Sequence, residues 1–306
     1  MTNLLDRAIV RLLPAVPRPV VRRIANRYVA GPRLPDACRV VRQLNTAGKL
    51  TTIDVLGEEI TRREDSLAIV EAYADVSEAI RRERLDSNLS VKLTALGLKL
   101  DYQFCVENME SVLEHADEFV RIDMEDSTCT DDTLSLYREL RLRGQDRVGI
   151  VLQACLRRTL EDIEALRDLT PNVRLCKGIY VEPREIAFQG PDEVRENFVA
   201  ALDLLLEHGS YVGIATHDEW LIEESLRLLE RHGRSSREYE FQMLLGVRTA
   251  RATELVSAGH RLRVYVPFGE RWYAYSLRRL QENPKIAGYI ASDTVGRLVP
   301  GHNGRR

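Results

Sequence analysis

Val148-Gly-Ile-Val-Leu-Gln-Ala154, Asn172-Val-Arg-Leu-Cys176 and Tyr211-Val-Gly-Ile-Ala-Thr216 are three short, β-branched apolar runs within one stretch of chain. Runs of this length and character read as strands buried on both faces. Between them, Thr159 to Asp168 and Val194 to His208 carry apolar residues at helical spacing, and Pro171 and Gly209 punctuate the entry to the next strand. The stretch therefore reads strand, helix, strand, helix, strand.

The same alternation continues in both directions. Thr52 to Leu56, Leu89 to Leu93 and Phe119 to Met124 precede it; Glu240 to Leu245 and Arg263 to Val266 follow it. Helical patterns separate them at Glu58 to Arg84, Glu107 to Glu118, Asp131 to Arg143, Glu219 to His232 and Val247 to Ala258. Eight strands in alternation with helices predict an α/β fold, a (βα)8 barrel spanning 50–306. A doubly wound sheet alternates in the same way, but no Gly-x-Gly-x-x-Gly follows the first strand. Residues 1–49 read as a separate helical preamble, rich in arginine and punctuated by Pro14, Pro17, Pro19, Pro32 and Pro35.

With 306 residues, a formal net charge of −3 and a pI near 6.1, the chain has no general attraction for nucleic acid. No run approaches the ~20 apolar residues of a spanning helix, and Asp6, Arg7 and Arg11 interrupt the leucines of Met1 to Leu13, so a cytoplasmic protein is expected. Five scattered cysteines without Cys-x-x-Cys spacing read as thiols, and the six histidines lack paired ligand spacing, so no metal is expected. Two uses of the basic preamble stay open: packing against the main domain, the commoner use, and transient contact with an anionic membrane surface.

Active sites of such barrels form at the carboxyl ends of the strands. Those ends carry Asp54, Lys92, Asp123, Gln153, Arg174 with Lys177, Thr216-His217-Asp218, Gln242 and Tyr265 in strand order. Each alone has a bland reading: Lys92 pairs with a neighbouring carboxylate, Asp123 is its partner, and Arg174 caps a strand. Charged groups inside so many consecutive β-branched runs are costly to bury unless they share one polar site. Past the last strand, Val264 to Val266, the loop Pro267 to Glu270 leads into a predicted helix, Arg271 to Asn283, closed by Pro284. Tyr275, Arg278, Arg279 and Glu282 share one face of it, so two guanidinium forks meet in a clamp suited to a small carboxylate.

Taken together, Asp54-Val-Leu-Gly-Glu58, Ser90-Val-Lys-Leu-Thr94, Ile122-Asp-Met-Glu125, Gln153-Ala154, Val173-Arg-Leu-Cys-Lys-Gly-Ile-Tyr180, Ala215-Thr-His217, Phe241-Gln242 and the segment Tyr265 to Glu282 resemble the proline dehydrogenase (proline oxidase) family, in its monofunctional bacterial form. The resemblance covers roughly Asp36 to Pro300. It implies a distorted barrel with N-terminal helices and a final helix over the mouth, FAD as cofactor, and oxidation of L-proline to Δ1-pyrroline-5-carboxylate by hydride transfer to flavin N5. A quinone would be the electron acceptor, proline catabolism the setting, and the inner face of the membrane a peripheral location; the oligomeric state stays open. Carried over by similarity, Lys92, Arg278 and Arg279 grip the proline carboxylate, while Tyr265, Leu175, Tyr180, Leu244 and Tyr275 pack around its ring. Asp123 and Arg174 fall at the catalytic positions, with Arg174 near the flavin. Met124, Gln153, Lys177, Gly178, Ile179, Thr216 and His217 match FAD-contacting positions, and Glu58 matches a gate that pairs with the first clamp arginine. Cys176 departs from the family's usual valine. The bifunctional form, with a following aldehyde dehydrogenase region, is not expected. Rival readings are a flavin barrel acting on another cyclic amine or a folate, a Schiff-base lyase using Lys92, and a non-catalytic barrel that binds an acidic metabolite.

Overall fold

The computed structural model describes residues 27–57, 60–273 and 275–276. Eight parallel strands close on themselves in sequence order: β1 (Leu50–Val55), β2 (Ser87–Val91), β3 (Val120–Ile122), β4 (Val148–Gln153), β5 (Asn172–Cys176), β6 (Tyr211–Ala215), β7 (Tyr239–Leu244) and β8 (Leu262–Phe268). The register between β1 and β8, from Leu50 opposite Arg263 to Val55 opposite Phe268, completes the barrel.

Helix α1 (Leu34–Thr46) precedes β1 and packs on β1 and β8. The connecting helices are α2 (Arg63–Glu83), α3 (Tyr102–His115), α4 (Thr130–Leu142), α5 (Thr159–Ala165), α6 (Pro191–Glu207), α7 (Glu219–Arg231) and α8 (Thr249–Ser257). Local chemistry starts several of them. The Asp101 carboxylate accepts the Phe104 N–H at 2.7 Å to cap α3, Pro191 opens α6 with its φ already set, and Asp218 caps α7 by accepting the Trp220 N–H.

The strand registers divide every side chain between two layers. Outward residues such as Ile53, Leu89, Val91, Ile122, Ile150, Val173, Leu175, Ile214 and Phe241 form the main apolar core with Phe198, Leu202 and Leu205 of α6 and their counterparts on other helices. Inward residues include Asp54, Ser90, Arg121, Arg174, Glu240, Gln242, Arg263 and Tyr265, so the centre of this barrel is polar. The apolar layer therefore lies between sheet and helices, and the charged layer lies inside the sheet.

The sequence expectations for strand and helix order hold, with boundary shifts. The third strand is three residues long, with the Asp123 N–H just past it still donating to the Val91 carbonyl at 2.8 Å, and α2 begins at Arg63, later than the periodicity of Glu58 to Arg84 suggests. The last strand runs on through Pro267 and Phe268, which remain in register with Asp54 and Val55. Pro267 lies beyond the last β7 partner, where its missing N–H leaves no ladder bond unmade. After Gly269 the chain turns, and residues 272, 273, 275 and 276 are helical.

Because the Phe198 ring is wholly buried between α6 and the sheet, Phe198→Ala is expected to destabilise the fold by about 3–5 kcal/mol. Urea unfolding checks this as a lower midpoint with an unchanged slope.

Candidate active site

Alternation brings Asp54, Ser90, Lys92, Asp123, Arg174 and Tyr265, from five strands or the residues just past them, to one level at the carboxyl end of the barrel. Lys92 Nζ donates to Asp54 Oδ1 at 2.9 Å and to the Tyr265 hydroxyl at 3.1 Å, and lies 3.6 Å from Asp123 Oδ2. Tyr265 in turn donates to Asp123 Oδ2 at 3.0 Å. The other Asp123 oxygen accepts from Ser90 Oγ at 2.6 Å and from Arg174 Nη1 at 2.5 Å. Two cations and two carboxylates thus offset one another through a phenol and a serine.

The electrostatics follow from that packing. Burial opposes ionisation of Asp123, but the charges of Arg174 and Lys92, with the hydrogen bonds from Ser90 and Tyr265, outweigh it and hold the carboxyl below its usual range. For Tyr265, burial and the adjacent Asp123 and Asp54 charges push the phenol well above its usual value, so it remains a donor. The Arg174 guanidinium carbon lies 5.4 Å from the Tyr265 ring centroid, while Lys92 meets the hydroxyl end of the same ring. Lys92 Nζ lies 2.9 Å from Asp54 Oδ1, and a carboxylate at that distance favours the ammonium over the neutral amine a Schiff-base nucleophile requires.

A second group of residues rims the mouth. Lys177 reaches Asp218, whose carboxylate also accepts from Arg195 Nε at 2.8 Å. Burial works against that carboxylate, yet the Arg195 and Lys177 hydrogen bonds prevail and lower its pKa to about 2. Thr216 Oγ1 accepts the Asp218 N–H, and Gln153 Nε2 donates to the Glu125 carbonyl at 2.8 Å. His217 Nε2 accepts the Leu244 N–H at 3.0 Å, which leaves the ring proton on Nδ1. Gly178 has φ +94°, and a Cβ there would sit 2.2 Å from Cys155 Sγ, so both backbone and space demand glycine. Ile179 is exposed, Tyr180 is half-buried, and Met124 is buried beside Asp123. At the opposite rim, Tyr275 packs with Val29, Leu56 and Trp272.

The expected residues therefore do not all stand in one place. Lys92, Asp123, Arg174 and Tyr265 converge directly, and Leu244 shares the inward face with its register partner Tyr265. Leu175 is a correction: it is fully buried on the helix-facing side of β5, and the inward residue above Arg174 is Cys176. Glu58, Arg278, Arg279 and Glu282 lie outside the described residues. Gln242, expected as a polar residue at its strand end, accepts from Arg174 Nε at 2.6 Å. Ser90, Glu240 and Arg263 were missed; a polar residue at the inward position of a buried strand was the available signal. Among the described residues, no group of three or more His, Cys, Asp or Glu is placed to hold a metal ion, and no helix is long and apolar enough to cross a membrane.

A parallel barrel whose mouth concentrates paired charges and aromatic walls belongs to the barrel enzymes that bind small polar substrates at the strand ends. The profile of the family described as Proline dehydrogenase matches residues 37–291, and the chain belongs to that family. A relative named Proline dehydrogenase 1 from Bacillus subtilis (strain 168) is 38% identical over 269 residues, covering 87% of this chain and 89% of its own. Proline dehydrogenase from Deinococcus radiodurans is 36% identical over 278 residues, with 87% and 88% covered. Among solved structures, proline utilization A from Bdellovibrio bacteriovorus, inactivated by N-propargylglycine, has the same fold with a TM-score of 0.80 at 21% identity. That match takes in 95% of this chain but 38% of the larger protein.

Asp218 also generates a pH prediction. Its depressed pKa means that its contribution to stability is present above the ordinary carboxylate range and is lost as pH falls toward about 2. Asp218→Asn should lower the unfolding midpoint near neutrality and flatten its fall between roughly pH 4 and pH 2, measured by denaturant titration at each pH.

Proposed function

We propose that this chain is a flavin-dependent L-proline dehydrogenase that takes a hydride from the ring carbon beside the nitrogen to give Δ1-pyrroline-5-carboxylate, with electrons passed to a quinone. Family membership supports the substrate, and one observation carries the site: the buried Lys92–Tyr265–Asp123–Arg174 network at the mouth of the family's barrel. Residues 50–306 would form the catalytic barrel and 1–49 a helical preamble. A cytoplasmic protein meeting the membrane surface transiently fits the use of a quinone.

The residues present fit FAD. Arg174 is nearly buried, its Nε and Nη1 are taken by Gln242, Ser90 and Asp123, and its Nη2 has no hydrogen-bond partner among the described residues, leaving donors for a ligand. Met124, Gln153, Lys177, Gly178, Ile179, Thr216 and His217 would line the same side of the mouth. Bound FAD would supply the hydride acceptor at N5.

The chain's own part is placement and charge. Lys92, Arg278 and Arg279 would hold the proline carboxylate, with Tyr265, Tyr275, Tyr180 and Leu244 against the ring. Tyr265, kept protonated and hydrogen-bonded to Asp123, would hold Lys92 in place and close the wall. Arg174, clamped to Asp123, would present fixed positive charge where negative charge accumulates during reduction. Glu58 would gate entry by pairing with Arg278.

Two outcomes are expected. The purified protein should show flavin absorption bands that bleach when L-proline is added without oxygen; a protein that takes up no FAD would sink the reading. Arg278→Ala should raise the apparent KM for proline by roughly tenfold or more while flavin content stays at the wild-type level; steady-state kinetics and an absorbance ratio decide this.

A further inference from the structure

Below the mouth, the barrel holds a second buried ion pair that the proposed reaction does not use. Glu240 on β7 and Arg263 on β8 both point inward and are both buried. Glu240 Oε1 accepts from Arg263 Nε at 2.7 Å, and Oε2 accepts from Arg263 Nη2 at 3.1 Å and from the Tyr211 hydroxyl at 3.1 Å. Arg263 Nη1 donates to the Thr51 carbonyl at 2.5 Å, which ties the pair to β1.

From this base one side chain rises toward the mouth. Gln242, two residues along β7 on the same face, donates from Nε2 to Glu240 Oε1 at 2.7 Å and accepts at Oε1 from Arg174 Nε at 2.6 Å. An ionised carboxylate only accepts and a guanidinium only donates, so one of the two amide orientations satisfies both neighbours and the flipped one satisfies neither. The path is cleared by β6, where Gly213 is in register with Arg174 on one side and Glu240 on the other. A Cβ at Gly213 would lie 2.4 Å from Gln242 Nε2, and its φ is not in the left-handed region, so the glycine serves space.

We infer that Glu240 and Arg263 are positioning residues for the oxidation: their ion pair holds Gln242 in the one orientation that aims the Arg174 guanidinium, with Nη1 on Asp123 and Nη2 left for the reacting groups. This rests on the proposed function for its chemistry, while the geometry of Arg174 can be tested without it. A purely structural ion pair would matter for stability alone. A positioning pair matters for where Arg174 places its charge.

The test compares Glu240→Gln, Gln242→Leu and the swap Glu240→Gln/Gln242→Glu with the wild type. In the flavin-loaded enzyme, the two single variants should lose on the order of tenfold to a hundredfold in kcat with little change in KM for proline, and should shift the flavin midpoint potential. The swap should recover most of both, since a carboxylate at 242 accepts from Arg174 through either oxygen. In flavin-free protein, the Arg174 Nε–H resonance, assigned by its loss in Arg174→Lys, should move in both single variants. Wild-type kcat, potential and Nε–H resonance in folded single variants that merely melt earlier would overturn the inference. Should Glu240→Gln fail to fold, Arg263→Lys, which keeps the charge but loses the two-point contact with Glu240, carries the same comparison. A wild-type protein that takes up no flavin would refute the proposed reaction, and the Nε–H comparison would still decide the positioning.

Discussion

The buried contact between Asp123 and Arg174 is the interaction on which the site depends. It joins β3 to β5 across the barrel, and each of its charges would be costly there without the other. Removing one partner of such a pair typically costs about 3–5 kcal/mol, because the remaining charge stays buried. The surrounding polar groups follow from that requirement. Ser90 and Tyr265 occupy the remaining acceptor capacity of Asp123, Gln242 holds Arg174 Nε, and Lys92 offsets Asp54 beside them. A polar barrel centre on this scale is compatible with a stable fold because the apolar core lies elsewhere, between sheet and helices.

The same lattice suits the chemistry proposed for it. A dehydrogenase that leaves hydride chemistry to a flavin needs fixed charges and walls more than it needs a titrating acid or base. Here Asp123 stays ionised and Tyr265 stays protonated. Networks satisfied at nearly every donor and acceptor are rigid, and rigidity is what places a substrate against an acceptor. The tier of Glu240 and Arg263 extends that rigidity downward, from the mouth to the backbone of β1.

How much of this was legible in the chain varies from residue to residue. The strands at Val148, Asn172 and Tyr211 were readable because continuous β-branched runs bounded by proline and glycine have few other uses. The run at Phe119 was read too long, since the strand ends at Ile122, and sequence does not show that the Asp123 side chain meets Arg174. Lys92, Asp123, Arg174 and Tyr265 stood out as polar residues in apolar strands. Their pairing did not: Lys92 is closer to Asp54 than to Asp123, and Gln242 bridges two protein groups.

The sequence by itself determined the alternation of strand and helix, the eightfold count and the set of charged residues at the strand ends, because these depend on local composition and spacing, and its motifs carried the resemblance to the family. Tertiary structure alone decided which way each residue faces and whom it meets. Leu175 and Cys176 are neighbours in sequence, yet register sends one to the helix layer and the other to the barrel interior. Glu240, Gln242 and Arg174 become one hydrogen-bonded line because Gly213 on the strand between them leaves the space open. Faces and partners are set by closure of the sheet, a property of all eight strands at once.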